Sequence, residues 1–190
     1  FQSWIDTTIG RDLARAYGRN YDPDIARDIL KQIGRIMAQG EKPDSSQIEI
    51  HSRVLKKYLN AMQAIFLLQR LPCHEKGFGY DAYLPMDSGI AQYLMDYAIS
   101  PGITQSLINV YLTNEIQARC HYAGEKFEPI YYKSRTGSPI DLVWNGIPIK
   151  FAIDAKITGW DTRALSGAMK KLGSKFGIIA APTDLIDIPN

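Results

Sequence analysis

Two carboxylates and one ammonium, on Asp141, Asp154 and Lys156, stand in strand-like apolar stretches of this 190-residue chain. Ile140-Asp141-Leu142-Val143-Trp144 alternates around the first acid, and Phe151-Ala152-Ile153-Asp154-Ala155-Lys156-Ile157 carries the second. Asn145-Gly146 and Pro148 lie between them and read as a turn, so a hairpin is expected. Side chains two residues apart on a strand point the same way. Asp154 and Lys156 would then share a face, with Asp141 beside them on the neighbouring strand. Paired carboxylates hold a hard divalent cation such as Mg2+ or Mn2+. A nearby ammonium orients or deprotonates water and offsets charge on a phosphodiester in the transition state. The plainer alternative is a solvent-facing hairpin whose surface ion pair contributes about 0–1 kcal/mol. Apolar flanks favour burial, and a buried Asp–Lys pair needs compensation that a metal and its substrate would supply.

The elements around these residues follow from periodicity. Ile5, Ile9 and Leu13 recur every four residues and give a first helix its apolar face. Asp22-Pro23 is a cap followed by proline at the first helical position, and Ile25, Ile29, Ile33 and Ile36 line the helix behind it to Gly40. A short helix is expected around 46–50. Ser52 should then cap a long one, with Val54, Leu55, Tyr58, Leu59, Met62, Ile65 and Phe66 inward, ending before Pro72. Arg53, Lys56 and Lys57 fall on its outer face. That order suits a winged helix-turn-helix whose basic residues meet nucleic acid, or a helical bundle with a solvated basic face.

Past Pro72 the character changes. A turn-rich aromatic segment (77–83) leads to a short helix (87–98) and a longer one (103–119) with Leu107, Ile108, Tyr111, Leu112 and Ile116 inward. Strands are expected over 129–135, 140–144 and 150–157, then a helix capped by Asp161 and a last strand over 176–181. This makes an α/β chain with a helical, winged-helix-like domain over 1–80 and a compact α/β domain over 81–190.

Composition sets limits. Basic and acidic residues number 22 and 20, a formal net charge of +2, so any nucleic-acid contact must come from local clusters. Cys73 and Cys120 form no framework, which fits a reducing cytoplasm. No stretch has the roughly 20 apolar residues of a membrane span, so no membrane partner is expected. The start at Phe1, in helical pattern, suggests a piece of a longer protein.

The order of helix, I-D-L-V hairpin, D-A-K strand, helix and strand resembles the PD-(D/E)xK restriction-endonuclease-like fold. More closely, the chain resembles the uncharacterised C-terminal region that follows the P-loop module in prokaryotic AAA-type ATPases. Phe1–Leu13 is similar to that region's "f..yi.t.i.rDl" opening, Leu55–Pro72 to "l.rYL..L...fLl..lp", and Tyr83–Ile90 to "lYf.D.Gl". Tyr131–Val143 is similar to "yy.R...g.EIDfV", and Ile153–Lys156 to "IEVK". The resemblance implies Asp141 and Asp154 as metal ligands, Lys156 as the catalytic lysine, and DNA and the ATPase domain of the parent chain as partners.

Departures from the pattern bear on activity. The segment Asn109–Ile116 aligns with "EnfV..EL", so Asn109 stands where the family has an acid. An amide donates a carbonyl oxygen but no charge, and two carboxylates hold Mg2+ more weakly than three. The resemblance therefore implies a nuclease-like, nucleic-acid-binding region with weak or lost metal-dependent phosphodiesterase activity. The alternatives are an active Mg2+-dependent DNA endonuclease and a protein-interaction module. No G-x-x-x-x-G-K-[ST] occurs, so no ATP site is expected in this chain. Lys133 and Arg135 alternate beside the acid-bearing hairpin as candidate phosphate contacts. His51, His74 and His121 lack partners at zinc-ligand spacing.

Overall fold

The computed structural model describes residues 2–96, 104–135, 139–153 and 157–181. It is a mixed α/β chain with two sheets. By internal contacts the chain divides into two compact units, Phe1–Pro72 with Tyr80–Ala118, and Cys73–Gly79 with Arg119–Asn190. The single break expected near residue 80 is replaced by an exchange. Residues 73–79 belong to the second unit, and 80–118 to the first.

The first unit is built on helices. It opens with α1 (Gln2–Thr7), a π-helical stretch (Thr8–Leu13) and α2 (Ala14–Tyr17), which bury Ile5, Ile9 and Leu13. Next comes α3 (Pro23–Ala38), started by the Asp22 carboxylate, which accepts from the Asp24 N–H, and by Pro23 in the first turn. Ala26, Ile29, Leu30, Ile33 and Met37 are its buried stripe. Gly34 faces the backbone of α5 (Ser88–Asp96), where an added methyl would collide with the Leu94 carbonyl.

Three expectations fail in the next segment. Residues 46–50 form turns rather than a helix, organised by Asp44, whose Oδ1 accepts from the N–H and hydroxyl of Ser46. The following helix, α4 (Ser52–Ala64), starts one residue after His51, so Ser52 lies inside its first turn and is not its cap. It also stops short. Phe66 takes a left-handed conformation (φ 56°), and the chain becomes β1 (Leu68–Leu71). The run Phe66-Leu67-Leu68 carries apolar residues at every position, so its periodicity does not separate helix from strand. β1 pairs antiparallel with β2 (Ala82–Pro85), from Leu68↔Pro85 to Leu71↔Ala82. An isolated bridge from Asp44 to Ala82 ties the segment before α4 to this hairpin.

The long helix α6 (Gln105–Tyr122) buries Ser106, Asn109, Val110, Thr113 and Cys120, while Tyr111 is exposed. Of the face expected to lie inward, Leu107, Ile108, Leu112 and Ile116 are half-buried and Tyr111 is exposed. The fully buried positions include polar ones: Ser106 Oγ donates to the Glu41 carbonyl at 2.9 Å, while the buried Thr113 Oγ1 has no hydrogen-bond partner among the described residues. No helix among the described residues is long and apolar enough to cross a membrane.

The second unit holds β3 (Ile130–Tyr132), β4 (Ile140–Trp144), β5 (Ile147–Phe151) and β6 (Ile178–Ala180), in that spatial order. β3–β4 and β4–β5 are antiparallel, and β5–β6 is parallel. The parallel pair is joined through α7 (Gly159–Leu172), whose Leu165 and Ala168 pack with Tyr132, Ile140 and Val143. Thr158, not Asp161, caps α7; Asp161 returns the bond in a capping box. The β4–β5 turn is Asn145-Gly146 alone, both at positive φ (50° and 78°), as a two-residue hairpin of right-handed twist demands. Pro148 therefore lies within β5, opposite Val143. β6 pairs only from Ile149 onward, so at Pro148 that side of β5 is still an edge, where a missing N–H is tolerated.

Candidate functional site

The tight turn decides which side chains meet. Leu142 pairs with Ile149, and one step further the same register sets Asp141 across from Lys150. Asp141 is 2% exposed and Lys150 8%. Their Oδ2 and Nζ atoms lie 3.0 Å apart. The Phe151 N–H donates to the same Oδ2 at 2.8 Å, and the Lys150 ammonium donates to the Pro139 carbonyl at 3.2 Å. A buried pair survives when geometry is good and further hydrogen bonds satisfy both ions, as these contacts do. Among the described residues Lys150 is thus a counter-charge for Asp141, and the sequence alone does not single it out. A signal existed: one lysine in Ile-Pro-Ile-Lys-Phe, facing one acid in Ile-Asp-Leu-Val-Trp, each alone among apolar neighbours.

Asp154 and Lys156 lie outside the described residues. The strand expected to carry them through Ile157 ends at Phe151, and Ile153 already sits in a bend. Asn109 is buried on α6 in the first unit, where its Oδ1 accepts from the Gln105 amide at 3.1 Å. Among the described residues no group of three or more His, Cys, Asp or Glu side chains could hold a metal ion. Asp141, the one expected carboxylate ligand that is described, is committed to a lysine and a backbone N–H.

The basic residues stand on two elements, in different units. Lys133 and Arg135 are exposed after β3. The Arg135 guanidinium lies 4.9 Å over the Phe78 ring, and the Phe78 N–H donates to the Lys133 carbonyl at 2.8 Å. Arg53, Lys56 and Lys57 are exposed on α4, a helix without any acid. Lys57 is engaged locally: its ammonium sits 3.9 Å over the Tyr17 ring and donates to the Arg19 carbonyl at 3.4 Å. Arg53 and Lys56 make no ion pair or hydrogen bond among the described residues.

Beside α4 opens a cleft of about 530 Å3 lined by Ser52, Lys56, Asn60, Gln63, Arg70 and Tyr80. Asp81, the one acid among its described lining residues, accepts from Arg70 at 2.7 Å. Asn60, Gln63 and Arg70 stand outside the charge clusters that the sequence displays, although Asn60 and Gln63 follow Lys56 at four and seven residues. No protein-family model, no curated protein and no solved structure matches this chain.

Proposed function

We propose that this chain is a nuclease-like, nucleic-acid-binding region of a prokaryotic AAA-type ATPase, with metal-dependent phosphodiester cleavage weak or lost. The fold reading draws support from the order helix, three strands, helix, strand, and from β4 running antiparallel to both neighbours while β6 runs parallel to β5. The helix–hairpin sequence of the first unit supports the winged-helix part of the reading. The observation that carries the loss of cleavage is the buried Asp141–Lys150 pair at 3.0 Å. A cation taking Asp141 as ligand would strand the Lys150 ammonium where only 8% of the residue meets solvent. Leaving such a charge uncompensated costs about 3–5 kcal/mol, which metal binding would have to overcome. Asn109 in place of an acid removes a second source of negative charge.

The experiment incubates supercoiled plasmid with the protein and Mn2+, then reads mobility shift and topology from the same sample. A retarded, intact plasmid is expected. Metal-dependent nicking that disappears in Asp154→Ala would restore the active-endonuclease alternative. Absence of any shift at low salt would overturn nucleic-acid binding itself.

A further inference from the structure

We infer that the first unit reads duplex DNA by sequence through one face of α4, with Arg53, Lys56, Asn60 and Gln63 as the base-contacting residues. This rests on the nucleic-acid-binding reading and deepens it by naming the substrate form and the element that meets it. The four side chains recur at intervals of three, four and three residues, so they lie along one stripe of the helix. The opposite face, Leu55, Tyr58, Leu59 and Met62, is buried, which leaves the stripe as the face available to a partner.

The chemistry of the stripe favours base edges over a protein surface. Arginine and lysine suit the guanine O6/N7 edge, and asparagine and glutamine suit the adenine N6/N7 edge. α4 carries three cations and no acid, complementary to a polyanion. Its 13 residues span about 20 Å, and a helix with its side chains matches the B-form major groove, about 12 Å wide. A-form RNA has a major groove too deep and narrow for this entry. The β1–β2 hairpin closes the other side of the cleft, with Arg70 and Tyr80 exposed on it. Donors there would meet the sugar-phosphate backbone and fix register without reading sequence. Gln63 donates to the Leu59 carbonyl at 3.0 Å, a bond on the helix surface that a base edge would replace.

The test selects bound sequences from a random duplex DNA pool with the whole chain, then measures anisotropy on the winning duplex, a scrambled duplex and the matching RNA duplex across salt. A defined motif is expected. Asn60→Ala and Gln63→Ala should each weaken the winning duplex by about 5- to 100-fold while leaving the scrambled one unchanged. Arg53→Ala with Lys56→Ala should weaken both duplexes and flatten the salt dependence. Lys57→Ala should keep the motif. Melting curves like that of the unaltered protein establish that each variant is folded.

Equal affinity for the RNA duplex, or an unaltered motif in the Asn60 and Gln63 variants, overturns the inference. So does binding lost only in Lys133→Ala and Arg135→Ala, which leaves the broader nucleic-acid reading standing. No binding to any of the three duplexes overturns both.

Discussion

Lys150 and Asp141 face each other inside the second unit, where each offsets the other's charge. Removing one partner of a buried pair exposes the whole desolvation penalty of the survivor, about 3–5 kcal/mol. Lys150→Met should therefore lower the unfolding free energy by about that amount in urea titration, and Asp141→Asn in the same background should recover much of it. A loss below about 1 kcal/mol would be the behaviour of a solvated surface pair and would contradict the burial described. A second cluster makes a pH prediction. Tyr17, Tyr21 and Tyr58 form a tilted ring group, with the Tyr58 hydroxyl donating to the Asp22 carbonyl and accepting from its N–H. Burial, and then the neighbouring Tyr58, push the Tyr21 hydroxyl up to about 12. The unfolded chain ionises its tyrosines near 10, so the contribution of Tyr21 is complete below pH 10 and is lost as pH rises toward 12. Thermal melts should fall over that window, and Tyr21→Phe should remove part of the fall; an equal fall in that variant would assign it elsewhere.

At the scale of elements, close approach rather than propensity sets the packing of the first unit. α3 meets α5 at Gly34, where no side chain fits beneath the Leu94 carbonyl. Gly34→Ala improves helix propensity by up to about 1 kcal/mol, yet the collision should win and lower the melting temperature by several degrees. An unchanged or higher melting temperature would show that the two helices can separate without cost. Where one local rule governed an element, the sequence displayed it: the four-residue repeat of Ile5, Ile9 and Leu13, the Asp22-Pro23 start of α3, the Asn145-Gly146 turn. Elements chosen by competition were hidden. α4 gives way to β1 within a run that is apolar at every position, and α6 buries polar residues, of which Ser106 finds the Glu41 carbonyl. The candidate site was half legible. Asp141 stands out by type and position, but its partner follows from a register fixed by the two-residue turn, and the sequence alone draws Pro148 into that turn.

Across the whole molecule, formal charges nearly cancel, so any attraction for a polyanion depends on local cations left uncommitted. In the second unit Lys150 is spent on Asp141. In the first, Arg53 and Lys56 stand unpaired among the described residues on a helix without acids. The proposal of binding without cleavage rests on that contrast. Calorimetric titration of Mn2+ into the unaltered protein, Asp141→Asn and Asp154→Ala tests it most directly. The account predicts the same negligible heat from all three; a saturable Mn2+ isotherm in the unaltered protein that vanishes in either variant would contradict it.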